Sequence, residues 1–159
     1  MGLSIRFATA HDAEAIVGFV HALAEYERQP EAVELTPAIV RAQMESADPP
    51  FECLIAQWEG TAAGFALFFR NYSTWRGRPG LFLEDLFVMP QYRRRGIGRA
   101  LFQRLAEIST QRGYGRMEWA VLDWNTPAHE FYRALGATPM EQWTIWRLDG
   151  DALAQAARG

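Results

Sequence analysis

Leu83-Glu84-Asp85-Leu86-Phe87-Val88-Met89-Pro90, followed closely by Arg93-Arg94-Arg95-Gly96-Ile97-Gly98-Arg99, is the stretch that decides how this chain folds. Its first half is an apolar run of strand character, from Leu81 to Met89, ended by proline. After the arginines, Ile97, Leu101, Leu105 and Ile108 recur at helical spacing, and Gly113 supplies the stop. The order is therefore strand, glycine-bearing turn, amphipathic helix. The first N–H groups of a helix have no intrahelical partner and carry the positive end of its dipole, so they attract anions. Gly96 and Gly98 let an anion approach without a Cβ in the way. Arg93, Arg94, Arg95 and Arg99 add charge and donors. The turn predicts a pyrophosphate cradle. It has neither the Gly-Lys-Ser/Thr of a Walker loop nor the G-x-G-x-x-G of a Rossmann turn. A merely solvated basic helix start is the alternative, and the strand in front of it counts against that.

Upstream of this stretch, Ser4 to Phe7 alternates like a first strand, and Ile16, Phe19, Val20 and Leu23 form a helical stripe within Asp12 to Glu27. Thr36-Pro37 predicts an N-cap and first helical residue for a helix running towards Met44. Phe51 to Trp58 and Thr61 to Arg70 flank Glu59-Gly60 as a hairpin, and Asn71 to Gly80 is expected to be a loop. Downstream, Arg116 to Leu122 predicts a strand, Thr126-Pro127 opens a helix through Tyr132 to Leu135 closed by Gly136, and Gln142 to Leu148 predicts a last strand. Asp151 to Ala157 predicts one or two helical turns. Hairpin strands followed by alternating helices and strands imply an α/β (α+β) mixed sheet with flanking helices, not a purely parallel one.

The 159 residues suffice for one core, and no repeat or linker interrupts them, so one domain is expected over 1–159. Nearly half the residues are apolar (49%), yet no apolar run approaches the ~20 residues of a membrane span. The start lacks the layout of a secretory signal. A lone Cys53 excludes a disulfide framework and a cysteine-rich zinc site. His11, His21 and His129 lack ligand spacing, so no metal is expected. A cytoplasmic protein follows from these features. The net charge of −3 speaks against nucleic acid as a partner and makes the arginine cluster stand out.

Arg93-x-x-Gly96-x-Gly98 behind a Leu-Glu-Asp-Leu-Phe-Val strand resembles the signature of the GNAT superfamily of N-acetyltransferases. Four blocks further resemble its diamine acetyltransferase and thialysine N-ε-acetyltransferase subgroup: Ala24-Glu25-Tyr26-Glu27, Leu83 to Gly98, Val121-Leu122-Asp123-Trp124-Asn125, and Phe131-Tyr132-Arg133-Ala134-Leu135-Gly136-Ala137. The resemblance implies a GNAT fold, mostly antiparallel, with acetyl-CoA lying between two splayed parallel strands. The pantetheine arm would pair with the backbone of Leu86, Phe87 and Val88. The pyrophosphate would meet Arg94, Arg95, Gly96, Ile97, Gly98 and Arg99, with Arg93 completing the cofactor-binding set. Asn125 would face the cofactor. The related enzymes are dimers, which implies a homodimer here.

Acetyl transfer to an amine requires a neutral amine, a polarised carbonyl and a protonated leaving thiolate. An alkyl ammonium of pKa near ~10.4 costs about 4–5 kcal/mol to neutralise at pH 7. By resemblance Tyr132 stands beside the coenzyme sulfur as the acid, although a lone tyrosine is more often simply packed. Glu84 is by resemblance the base or amine-orienting carboxylate, acting through water; pairing with an arginine is an equal alternative. Strand alternation sends Asp85 to the opposite face. Tyr26, Glu27, Trp75 and Trp143 match the substrate end, where carboxylates and aromatic faces attract a cationic amine. Diamine enzymes carry Asp-Pro-Trp where this chain has Ser73-Thr74-Trp75, which favours a lysine-like amine over a long polyamine. An acetyl-cysteine route through Cys53 has no neighbouring histidine to support it. Direct attack in a ternary complex is expected; the other reading is a GNAT-fold protein that binds acetyl-CoA without catalysis.

Overall fold

The computed structural model describes residues 2–159. The chain divides into two compact units, Met1–Ala120 and Val121–Gly159. In the first, β1 (Leu3–Phe7), β2 (Glu52–Trp58), β3 (Thr61–Ser73), β4 (Arg78–Val88) and β5 (Met117–Trp119) form one sheet in sequential order. The first four strands are antiparallel neighbours, and β5 pairs with β4 in parallel. A two-residue turn joins β2 to β3, with Glu59 and Gly60 both in the left-handed region at φ 47° and 81°. That twist matches the flanking strands and suits the Glu-Gly pair.

Helices α1 (Ala13–Tyr26) and α2 (Pro37–Met44) cover one face. Ile16, Val17, Phe19 and Val40 pack there against Cys53, Ile55, Phe65 and Phe87 of the sheet. Asp12, ahead of α1, accepts two bonds of 2.8 Å from Arg6 and one from the Thr9 N–H. The hydrogen bonds from Arg6 hold its carboxyl below the usual carboxylate range despite burial. Thr36 caps α2 as expected, its hydroxyl accepting the Ile39 N–H at 3.2 Å. Period-two alternation turns Leu54, Ala66 and Phe68 to the other face, where α3 (Ile97–Gln111) crosses β1 to β4. All four stripe residues of α3 are buried, each contributing about 1.5–3 kcal/mol.

Three sequence expectations need correction. Asn71 to Gly80 is not a loop: β3 runs to Ser73 and β4 starts at Arg78, with Asn71↔Gly80, Tyr72↔Pro79 and Ser73↔Arg78 in register. The polar letters belong to a ribbon extending beyond the core, where neither face has to be apolar. β5 covers only Met117–Trp119 of the stretch 116–122. Gln142 to Leu148 forms no strand. Its Trp-Thr-Ile-Trp composition suits a pleat, but no ladder of the sheet includes it, and propensity alone does not make a strand.

The second unit contains α4 (Thr126–Ala134) and α5 (Gly150–Arg158). The Phe-Tyr-Arg-Ala-Leu-Gly-Ala block is read physically as the end of α4. Gly136 is left-handed at φ 90°, its N–H bonds the Arg133 carbonyl at 2.9 Å, and the Ala137 N–H bonds that of Tyr132 at 3.1 Å. This is a Schellman stop.

Candidate active site

At the middle of β4 the pairing slips. Leu67 faces Asp85 and Phe68 faces Leu83, so Glu84 is an extra residue without a partner on β3. Such a bulge breaks simple alternation and re-aims side chains. Asp85 shares a cross-strand row with Leu67 and Cys53, on the α1 face. Glu84 is exposed, and Glu27 caps the end of α1. Glu84 is the exposed extra residue of the bulge and Asp85 lies in the row facing α1, and Asp85 still feels the charges of both Glu84 and Glu27. Burial, then Glu84, then Glu27, push the Asp85 carboxyl up to about 6. Burial, then Glu84, raise Glu27 as well. The sequence shows an Asp next to a Glu; only the fold brings Glu27, at the end of α1, within reach of Asp85.

The bulge also marks where β5 stops. Parallel pairing covers only Leu81↔Met117 to Leu83↔Trp119. From Glu84 to Val88 no described strand pairs with the outer edge of β4. Gly64 packs against this end of β4: a Cβ there would meet the Phe87 carbonyl oxygen at 2.7 Å and the Val88 Cα at 3.2 Å. A glycine inside an apolar strand signals such a close approach.

The turn after β4 is built around left-handed residues, Arg94 at φ 62° and Gly96 at φ 75°. Gly96 is the N-cap of α3 and has no side chain to occupy the first N–H groups; the first helical bond runs from Ala100 to Gly96 at 3.0 Å. The N–H groups of Ile97, Gly98 and Arg99 therefore lack intrahelical partners. The arginines divide. Arg93 donates through Nε to the Val88 carbonyl at 3.1 Å, and Arg95 lies 4.8 Å over the Trp58 ring. Arg94 and Arg99 are exposed at the mouth of the turn.

In the second unit, Asn125 is 9% exposed and N-caps α4, its side-chain oxygen accepting the Ala128 N–H at 3.4 Å. Tyr132 sits in the last turn of α4, with its ring edge-on to Phe131 at 5.7 Å. Trp143 follows in the irregular segment and is exposed.

A family model described as the acetyltransferase (GNAT) family matches residues 19–137. The chain belongs to this family. It is 35% identical to a thialysine N-epsilon-acetyltransferase of Bos taurus, with 96% of each chain covered. Among solved structures, an integron cassette protein of V. cholerae matches with a TM-score of 0.83 at 23% identity, covering 100% of this chain and 99% of the other. An aminoglycoside N-acetyltransferase crystallised with CoA matches with a TM-score of 0.72 at 25% identity, covering 91% and 93%.

The GNAT acyl donor, acetyl-CoA, suits what the first unit presents: an open strand edge for an amide-bearing arm, then uncapped N–H groups and two exposed guanidiniums for phosphates. Trp75 lies at the β3–β4 hairpin tip, 85% exposed, away from the carboxylates along the ladder. Cys53 is buried and burial raises its thiol, the wrong direction for a nucleophile. Among the described residues no group of three or more His, Cys, Asp or Glu has the geometry to hold a metal ion. No described helix is long and apolar enough to cross a membrane.

Proposed function

We propose that this N-acetyltransferase transfers acetyl from acetyl-CoA directly to the primary amine of a lysine-like small molecule such as thialysine, within one domain over 1–159. The observation carrying the site is β4 itself. Its open edge has carboxylates at one end and an anion-binding turn at the other. The nearly full-length similarity to a thialysine enzyme supports the amine class.

Acetyl-CoA supplies the activated acyl group; the Leu86, Phe87 and Val88 backbone would hold its arm, and residues 94–99 its phosphates. The remaining work is proton handling. Glu84 reaches solvent and attracts the ammonium, and takes its proton through water. Asp85, next along the strand, and Glu27, at the end of α1, are raised by burial and by the Glu84 charge. Tyr132 is the proposed acid for the leaving thiolate and Asn125 the proposed cofactor contact, with Tyr26, Glu27 and Trp143 the proposed amine residues, whereas Trp75 at the hairpin tip is set apart from the carboxylates. Exposed Trp143, Ile145, Trp146 and Leu148 support a homodimer that covers them, and the free thiol of Cys53 fits a cytoplasmic setting.

The test is free-thiol release from acetyl-CoA with lysine, thialysine, ornithine, diamines, spermidine and spermine. Turnover with lysine-like amines is expected; a preference for spermine would overturn the substrate class, and no release with any amine the catalytic reading. Tyr132→Phe should lower turnover about 10²-fold with acetyl-CoA affinity unchanged.

A further inference from the structure

Arg93 opens the glycine turn, but its side chain is engaged elsewhere. Besides the 3.1 Å bond from Nε to the Val88 carbonyl, its guanidinium carbon lies 5.6 Å from the centre of the Tyr26 ring and 5.3 Å from that of Phe87. These partners come from different parts of the site. Tyr26 is the last residue of α1, immediately before Glu27 of the carboxylate group. Val88 ends the open edge of β4, and Phe87 belongs to the core beneath α1. One planar cation thus joins the end of α1 to the edge and to the start of the turn.

We propose that Arg93 is a positioning residue and not a phosphate ligand. It holds Tyr26 and Glu27 in register with the cofactor edge, so that one cross-link sets both the amine end and the cofactor end. A guanidinium is suited to this: it donates in its plane while its faces meet aromatic rings, which an ammonium cannot do together. The neighbouring Arg94 and Arg99, without such partners, are left to meet the anion. This inference rests on the acetyltransferase reading, and its test separates the two.

The test combines CoA titration calorimetry over about 50 to 300 mM salt, where screening exposes charge contacts, with amine KM. Lysine binds phosphate well as a point charge, so a phosphate role predicts that Arg93→Lys retains CoA affinity. The clamp predicts that Arg93→Lys and Arg93→Ala both weaken CoA and raise amine KM, about five- to tenfold each, with the salt slope of CoA binding kept. Arg94→Ala should instead flatten that slope and leave amine KM alone. Tyr26→Leu keeps every guanidinium, and should reproduce the Arg93→Lys effects on both ligands. The Arg93→Lys/Tyr26→Leu double variant should be no worse than either single. Wild-type CoA affinity in Arg93→Lys with a flattened slope in Arg93→Ala would overturn the proposal, as would additive losses in the double variant. If wild type released no thiol with any amine, the acetyltransferase reading would fall, while the CoA titrations would still decide the role of Arg93.

Discussion

The two ends of the open half of β4 differ in how charge is managed. At one end, burial and the charge of Glu84 keep protons on Asp85 and Glu27 longer than usual. At Arg93 to Arg99, like charges are drawn apart: Arg93 and Arg95 are spent on rings and a carbonyl, and Arg94 and Arg99 stand in solvent. The acidic end is destabilised in its charged form, which is useful for accepting a proton from an ammonium. The basic end stores no such penalty, and the uncapped backbone N–H groups at the start of α3 add to its positive potential.

The sharpest way to break this comparison is Glu84→Gln. Turnover should fall about 10²-fold while acetyl-CoA affinity, measured by calorimetry, stays unchanged; equal losses in both would mean that the ends are not separate. Asp85→Asn comes next. Because Asp85 has a raised folded pKa, the folded state binds more protons than the unfolded one between about pH 4 and 6, and stability falls as pH rises through that window. The Asn variant should remove this fall, gaining on the order of 2–3 kcal/mol at pH 7 in denaturant unfolding. Gly64→Ala places a Cβ against the Phe87 carbonyl, and should cost about 2 kcal/mol of stability while raising KM for both ligands, since β4 is common to them. The smallest effect is expected from Arg99→Ala: acetyl-CoA KM up about tenfold or less, relieved by no amine, with Asp85-dependent pH behaviour intact.

Much of this was legible beforehand. The stripe of α3, the Thr36 cap, the Glu59-Gly60 turn and the glycine cradle rest on local rules of period, capping and left-handed backbone, which a sequence displays directly. The errors fall where the rule is not local. The ribbon at Asn71 to Gly80 looks like a loop because its residues are polar, but its hydrogen bonds lie across the hairpin. Gln142 to Leu148 looks like a strand because its residues suit one, and no ladder takes it up. The bulge that leaves Glu84 unpaired beside Asp85 is hidden for the same reason: it is a relation between two strands.

The sequence by itself determined the stripe and glycine start of α3, the Glu59-Gly60 hairpin and the family resemblance, because periodicity, glycine placement and charge clustering are properties of neighbours along the chain. Only the tertiary structure decided that Glu27, Glu84 and Asp85 share one field, that β4 is left open beyond Leu83, and that Arg93 is tied to Tyr26 and Val88. Each of these depends on register and packing between segments distant in sequence, where a shift of one residue changes which face a side chain occupies.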